Sequence, residues 1–260
     1  MKGRGMTMRT LLSLIVACGC AHASESAVPS GQALLEAVEE QGKLDQDLRA
    51  KVVMTQTKEG QCVKQTTAEH YRRDRSGSFV LLVASPASDR GDAYLRAAGT
   101  LWMYHRTTRS FQRVDRAENI CGFDARGQDF EGRKLTDVFA PAPGADGVPV
   151  AALLGDHPVW RFEVRAKILD VDCPRKVLWV SRDGNLLLKT QDYSSTGVLM
   201  QSAYFLKYAR VGNGRSIPSQ TMIVDELRRS ERTVVDLLEI RTGKVPDAIF
   251  TRSWIESRSR

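Results

Sequence analysis

PVWRFEVRAKILDVDCPRKVLWVSRDGNLLLKTQDY, residues 158–193, decides the architecture. Trp160, Phe162, Val164 and Ala166 alternate with Arg161, Glu163 and Arg165. That period of two is a strand with one apolar face and one charged face. Further strands are expected over 175–182 and 185–193, separated by Asp183-Gly184, a hairpin signal. A strand wetted on one side belongs to an antiparallel sheet.

The pattern continues in both directions. Downstream, strands are expected at 198–210, 215–225 and 232–241, with turns at Gly197 and Gly212-Asn213-Gly214. Upstream, they are expected at 52–57, 62–73, 79–84, 93–97, 101–105 and 110–114, with turns at Glu59-Gly60 and Gly99-Thr100. Consecutive strands with tight turns make a meander, not alternating β and α units. A single sheet this wide must curl or be covered. The expected fold is therefore mainly β with α: one curved antiparallel sheet, a half-barrel of about 11 strands, covered by one or more helices.

Two segments break the strand pattern. Ser30 can cap a helix in which Leu34, Leu35 and Val38 recur at helical spacing, predicting a helix over 30–47. Residues 117–150 hold Gly122, Gly127 and Gly132 and then APAPGADG at 140–147. They read as a long surface loop or lid with one short helix around Leu135.

The N-terminus has the three-part layout of a secretory signal. Lys2, Arg4 and Arg9 precede a short apolar run from Leu11 to Cys20, and Ala21-His22-Ala23 offers a small-residue cleavage site. Residues 1–23 are expected to be removed, leaving 24–260 as a single domain. Ile15-Val16-Ala17-Cys18 offers a second reading, lipidation at Cys18. Cleavage after Ala23 is favoured, because Ile stands where a lipobox has Leu. The remaining chain has 38 − 3 = 35 basic and 31 acidic residues, a net charge of +4. Its longest apolar stretch, Phe79 to Ala84, is too short to span a bilayer. No block of like charge and no basic–aromatic alternation points to nucleic acid.

Little in the chain points to catalysis. Beyond the signal the histidines are His70, His105 and His157, and all fall in strand patterns or at a strand start. There is no nucleophile elbow, His-Glu-x-x-His or phosphate-binding glycine loop. Asp170 and Asp172 place two carboxylates on one strand face, but alone this is a weak signal and a solvated turn is the favoured reading. Cys62, Cys121 and Cys173 remain after the signal; three thiols allow at most one intramolecular disulfide, and three small buried residues is the other reading. No metal spacing is present, and no cofactor or catalytic residue is assigned.

Ser85 to Arg116, SPASDRGDAYLRAAGTLWMYHRTTRSFQRVDR, resembles the central signature of the outer-membrane lipoprotein-sorting family, the LolA-like proteins. The matching positions are Pro86, Gly91, Leu95, Trp102, Tyr104 and Arg113. Asp129-Phe130, the strand Val177-Leu178-Trp179-Val180, the strand opening from Val211 to Pro218, Thr233, and Pro246 to Thr251 also fit in order. Cys121-Gly122 and the proline-rich 140–149 depart from the pattern.

The resemblance implies an exported protein whose half-barrel holds acyl chains in an apolar cavity under helices, without cofactor or covalent chemistry. It implies a periplasmic carrier or acceptor in lipoprotein sorting, with lipoprotein or lipid acyl chains as cargo. Its partners would be an inner-membrane permease or an outer-membrane acceptor, and the chain would be a monomer. A lipid-sensing accessory of an envelope transporter or signalling complex is the alternative. Candidate cavity residues are Leu82, Leu95, Met103, Trp160, Phe162, Val164, Trp179, Leu188, Met200 and Met222. The helix at 30–47 and the 117–150 segment are the candidate moving cover.

Overall fold

The computed structural model describes residues 28–115, 118–132, 135–169, 171–228 and 230–259. The expected signal, with Cys18 and Ala23, lies outside the described residues, as does Asp170.

The body is one open, curved antiparallel sheet of 14 strands. The strands are β1 (Leu48–Lys58), β2 (Gln61–Arg73), β3 (Ser78–Ser85), β4 (Ala93–Ala97), β5 (Thr100–His105), β6 (Ser110–Val114), β7 (Phe139–Pro141), β8 (Val150–Leu154), β9 (His157–Ala166), β10 (Arg175–Ser181), β11 (Leu187–Tyr193), β12 (Leu199–Val211), β13 (Arg215–Asp225) and β14 (Glu231–Thr242). Their order is β6-β5-β4-β3-β2-β1-β14-β13-β12-β11-β10-β9-β7, with β8 also on β9. Two meanders thus meet at a seam in which β1 pairs antiparallel with β14, Val52 opposite Leu237 and Met54 opposite Val235.

Strands β7 and β8 are additions to the expected set, and both come from the proline- and glycine-rich region. They share one edge of β9: Val150 to Leu154 faces Arg161 to His157, and Phe139 to Pro141 faces Ala166 to Val164. Proline is tolerated there because an edge strand has one unpaired side. Strand β9 itself ends at Ala166, so Asp172 lies exposed in the connection to β10. The β10–β11 turn is longer than the two-residue hairpin expected. Ser181 N–H donates to Leu186 O at 2.7 Å, and Gly184 and Asn185 both take the left-handed backbone.

Among the described residues three α-helices accompany the sheet: α1 (Gly31–Gly42), α2 (Leu135–Val138) and α3 (Arg252–Arg258). Ser30 caps α1 as expected, its Oγ accepting from Ala33 N–H at 3.1 Å. The helix stops at Gly42, five residues short of the expected 47. The cause is tertiary. Arg72 donates to Gly42 O at 3.2 Å and Asp74 accepts from Leu44 N–H at 2.9 Å, turning the chain into β1. Leu44 and Leu48 are still buried, but against Val211 and Ile217.

Candidate functional site

Alternation divides the apolar residues between two sheet faces. On one face of β1–β5 stand Val52, Met54, Ala68, Phe79, Leu81, Tyr94 and Leu101. On the same face of β9–β11 stand Trp160, Phe162, Val164, Leu178, Val180 and Leu187. A cavity of about 90 Å³ between these clusters is lined by His70 of β2, Leu187 of β11, Phe205 of β12, Ile223 of β13 and Val235 of β14. Strands so far apart in the sheet reach one small space only across a concave surface, so this is the inner face.

Two covers lie over it. Leu34, Leu35 and Val38 of α1, with Leu135, Val138 and Phe139, pack on the β9–β11 side. Ile120, Phe123, Ala125 and Phe130 pack on the β1–β5 side, all of them buried. The expected surface loop at 117–150 is therefore corrected: its described front half is a plug inside the curve. Three large apolar side chains in a loop, Ile120, Phe123 and Phe130, cannot all stay in water when a greasy face lies beside them.

Polar pins hold the plug from many strands. Tyr94 Oη accepts from Cys121 N–H at 2.9 Å, and Lys64 Nζ donates to Cys121 O at 2.5 Å while sitting over the Phe123 ring. Gln201 donates to Asp124 O at 3.1 Å, and Thr233 Oγ1 donates to the Asp124 carboxylate at 2.9 Å. Arg96 pairs with Glu131 at 2.8 Å. His70 Nε2 lies 3.1 Å from Phe130 O; since a carbonyl only accepts, Nε2 carries the proton. His70 Nδ1 is then bare, buried and without a hydrogen-bond partner among the described residues. Burial, helped by the nearby Arg72 charge, pushes the His70 pKa down to about 3.

Of the ten candidate cavity residues, Met103, Trp160, Phe162 and Val164 belong to the inner-face clusters. Leu82 and Leu95 sit on the outer face with Tyr71, Val245 and Ile255. Trp179 and Leu188 sit on the outer face with Val159 and Val177. Met222 pairs with Tyr204, next to the inward Ile223, and so also points outward. Met200 is half-buried and belongs to none of these clusters. The expectation of one apolar and one wetted face fails because the outer face carries apolar clusters of its own, one of them under α3. The plug residues Ile120, Phe123 and Phe130 were missed; their signal was isolated apolar residues in a glycine-rich stretch.

The histidines are scattered: His70 is inside, His105 is half-buried on β5, and His157 is exposed at the start of β9. The thiols are free, with Cys62 exposed, Cys121 half-buried and Cys173 buried. Burial raises the Cys121 thiol to about 12, which keeps it protonated and unreactive. Among the described residues no group of three or more His, Cys, Asp or Glu could hold a metal.

A single open, curved antiparallel sheet of this width is the LolA-like fold. The chain resembles a LolA superfamily protein from Nitrosomonas europaea at a TM-score of 0.71 and 18% identity, covering 87% of this chain and 99% of that one. A DUF1329 family protein from Desulfovibrio piger superposes at 0.74 and 18% identity, covering 86% and 97%. An outer membrane lipoprotein-sorting protein domain, so described, from Vibrio parahaemolyticus superposes at 0.74 and 13% identity, covering 87% and 98%. No curated protein matches the sequence. A family model described as "Uncharacterized protein" matches residues 75–257, more than half of the chain, and the chain belongs to that family.

Proposed function

We propose that this chain is a periplasmic carrier or acceptor that takes acyl chains of lipoproteins or lipids between its inner sheet face and the covers, in outer-membrane lipoprotein sorting. The observation that carries this reading is the construction of the inner face. Its apolar side chains span β1–β5 and β9–β14, yet what covers them is a short helix and a loop, not a second sheet. The remaining space, about 90 Å³, is well below the roughly 300–1,000 Å³ of ordinary ligand sites. Cargo must therefore displace a cover. Each methylene moved from water onto the face contributes about 0.8 kcal/mol, so one long chain outweighs the loss of several net hydrogen bonds of about 1 kcal/mol each. Binding needs no cofactor.

The description of the Vibrio parahaemolyticus domain supports the same compartment and cargo. Delivery would then be to an inner-membrane permease or an outer-membrane acceptor, by a monomer released after Ala23. Intact mass of the exported protein tests the last point: a chain starting at Ser24 is expected, and a lipidated chain starting at Cys18 would make it a tethered acceptor instead.

Native mass spectrometry after detergent-free purification tests the binding. Retained or added lipid is expected as a discrete mass increment. A chain that takes up nothing from excess lipoprotein or phospholipid would sink the proposal.

A further inference from the structure

A larger cavity, about 510 Å³, lies on the other side of the sheet, between the outer face and the C-terminal segment. The sheet separates it from the inner face: Tyr71 lines it, while His70, one residue earlier, lines the inner cavity.

Its electrostatics are unbalanced. Arg49, Arg241, Lys244 and Arg258 line it, against a single carboxylate, Glu69. Arg49 and Arg241 are direct cross-strand partners in the β1–β14 ladder. Like charges placed directly opposite destabilise a sheet. Glu69 relieves this only in part: it pairs with Arg49 at 3.5 Å but also accepts the Tyr71 hydroxyl at 2.5 Å, and it is one carboxylate against four cations. Arg258 sits over the Trp254 ring at 5.7 Å, and among the described residues Arg241 and Lys244 have no ion-pair partner. The remainder of the lining, Thr242 apart, is mostly apolar. The Tyr71 and Trp254 rings meet edge to face at 5.6 Å, beside Leu82 and Ile249.

We propose that this outer cavity binds an anionic amphiphile, with a phosphate or carboxylate head between Arg49, Arg241 and Lys244 and an apolar body against Tyr71, Trp254 and Leu82. The head supplies the charge that the opposed arginines lack, and guanidinium groups suit oxyanions through paired N–H donors. The apolar lining favours an amphiphile over a bare ion. This site is independent of acyl-chain binding on the inner face.

Calorimetric titration of the chain from residue 24 to 260 tests it with three probes below their micelle concentrations: monododecyl phosphate, dodecylphosphocholine and inorganic phosphate. Monododecyl phosphate is expected to bind at least about tenfold more tightly than either of the others. The double variant Arg241→Glu/Lys244→Glu is expected to weaken it at least about tenfold, and Arg241→Lys/Lys244→Arg to retain it. Both positions are exposed, and Arg241→Glu replaces a like charge opposite Arg49 with an unlike one, so a melting temperature that is unchanged or raised is expected and checks folding. Three results would overturn the proposal. Equal binding of dodecylphosphocholine would remove the anionic requirement. Equal binding of inorganic phosphate would make this a free-anion site. Binding that ignores the charge reversal would place the amphiphile on the inner face.

Discussion

Two buried polar residues set the chain's response to acid. His70 is neutral in the fold because burial holds its pKa near 3, below the ordinary 6.5. The unfolded chain therefore takes up the proton first, and stability falls as pH drops below about 6.5, down to about 3. Between pH 6.5 and 5 the loss from this group is about 2 kcal/mol. His70→Phe, between Phe79 and Phe130, is expected to flatten that part of the profile, as read by urea unfolding at pH 7.5 and 5. An unchanged slope would show that other groups carry it. Asp47 also loses stability in acid, but as a group that is ionised in the fold and over a lower pH range. Burial works to raise its pKa, but hydrogen bonds from Arg73 and Val245 N–H and the charges of Arg73 and Arg75 outweigh that and hold it low. Its contribution is present above the ordinary carboxylate range and is lost as pH falls through the lowered value. Asp47→Ala leaves Arg73 buried without its main partner and is expected to cost about 3–5 kcal/mol in the same unfolding assay. Neither role was legible in the sequence. His70 reads correctly as a strand residue, but Asp47 is bonded to Val245, 198 positions away.

Strands were more legible than covers. Each strand with clear alternation was readable, because a sheet face writes a period of two into the chain. The short edge strands β7 and β8 were not, since they exist only through β9, and α1 ended early because Arg72 and Asp74 catch its last turn. The plug is the element whose removal should matter most. Phe123→Ala deletes a fully buried ring and is expected to destabilise by about 3–5 kcal/mol. It should also increase binding of an apolar dye such as ANS by uncovering inner-face surface. The close pass in the turn between β7 and β8 gives a sharper test. A Cβ on Gly147 would lie 2.0 Å from Ala142 O, a backbone atom that cannot swing aside. Gly147→Ala is expected to lower the melting temperature by several degrees and to loosen β7, whereas Gly155→Ala, whose Cβ meets nothing, tests only the cost of a left-handed backbone.

At the scale of the whole molecule the seam between β1 and β14 decides how the two meanders behave. It joins residues 48–58 to 231–242 through a full antiparallel ladder, so the halves should unfold together. The tryptophans can report this. Trp102 and Trp254 belong to the outer cluster of the first meander, while Trp160 and Trp179 belong to the second. Trp102→Phe/Trp254→Phe and Trp160→Phe/Trp179→Phe leave fluorescence from one half each. If the seam couples them, each variant's fluorescence transition coincides with its own far-UV circular dichroism transition. A fluorescence midpoint displaced from that transition in either variant would mean two separately folding units. The sequence by itself determined that the chain is an antiparallel meander with one capped helix, since period-two alternation, turn residues and an N-cap are local properties. Only the tertiary structure decided which apolar residues face inward, that a glycine-rich loop fills the curve, and that two arginines oppose each other under the C-terminal segment. Those outcomes depend on register and on contacts between distant strands, and a one-residue change of phase moves a side chain to the other face without altering the composition that a sequence displays.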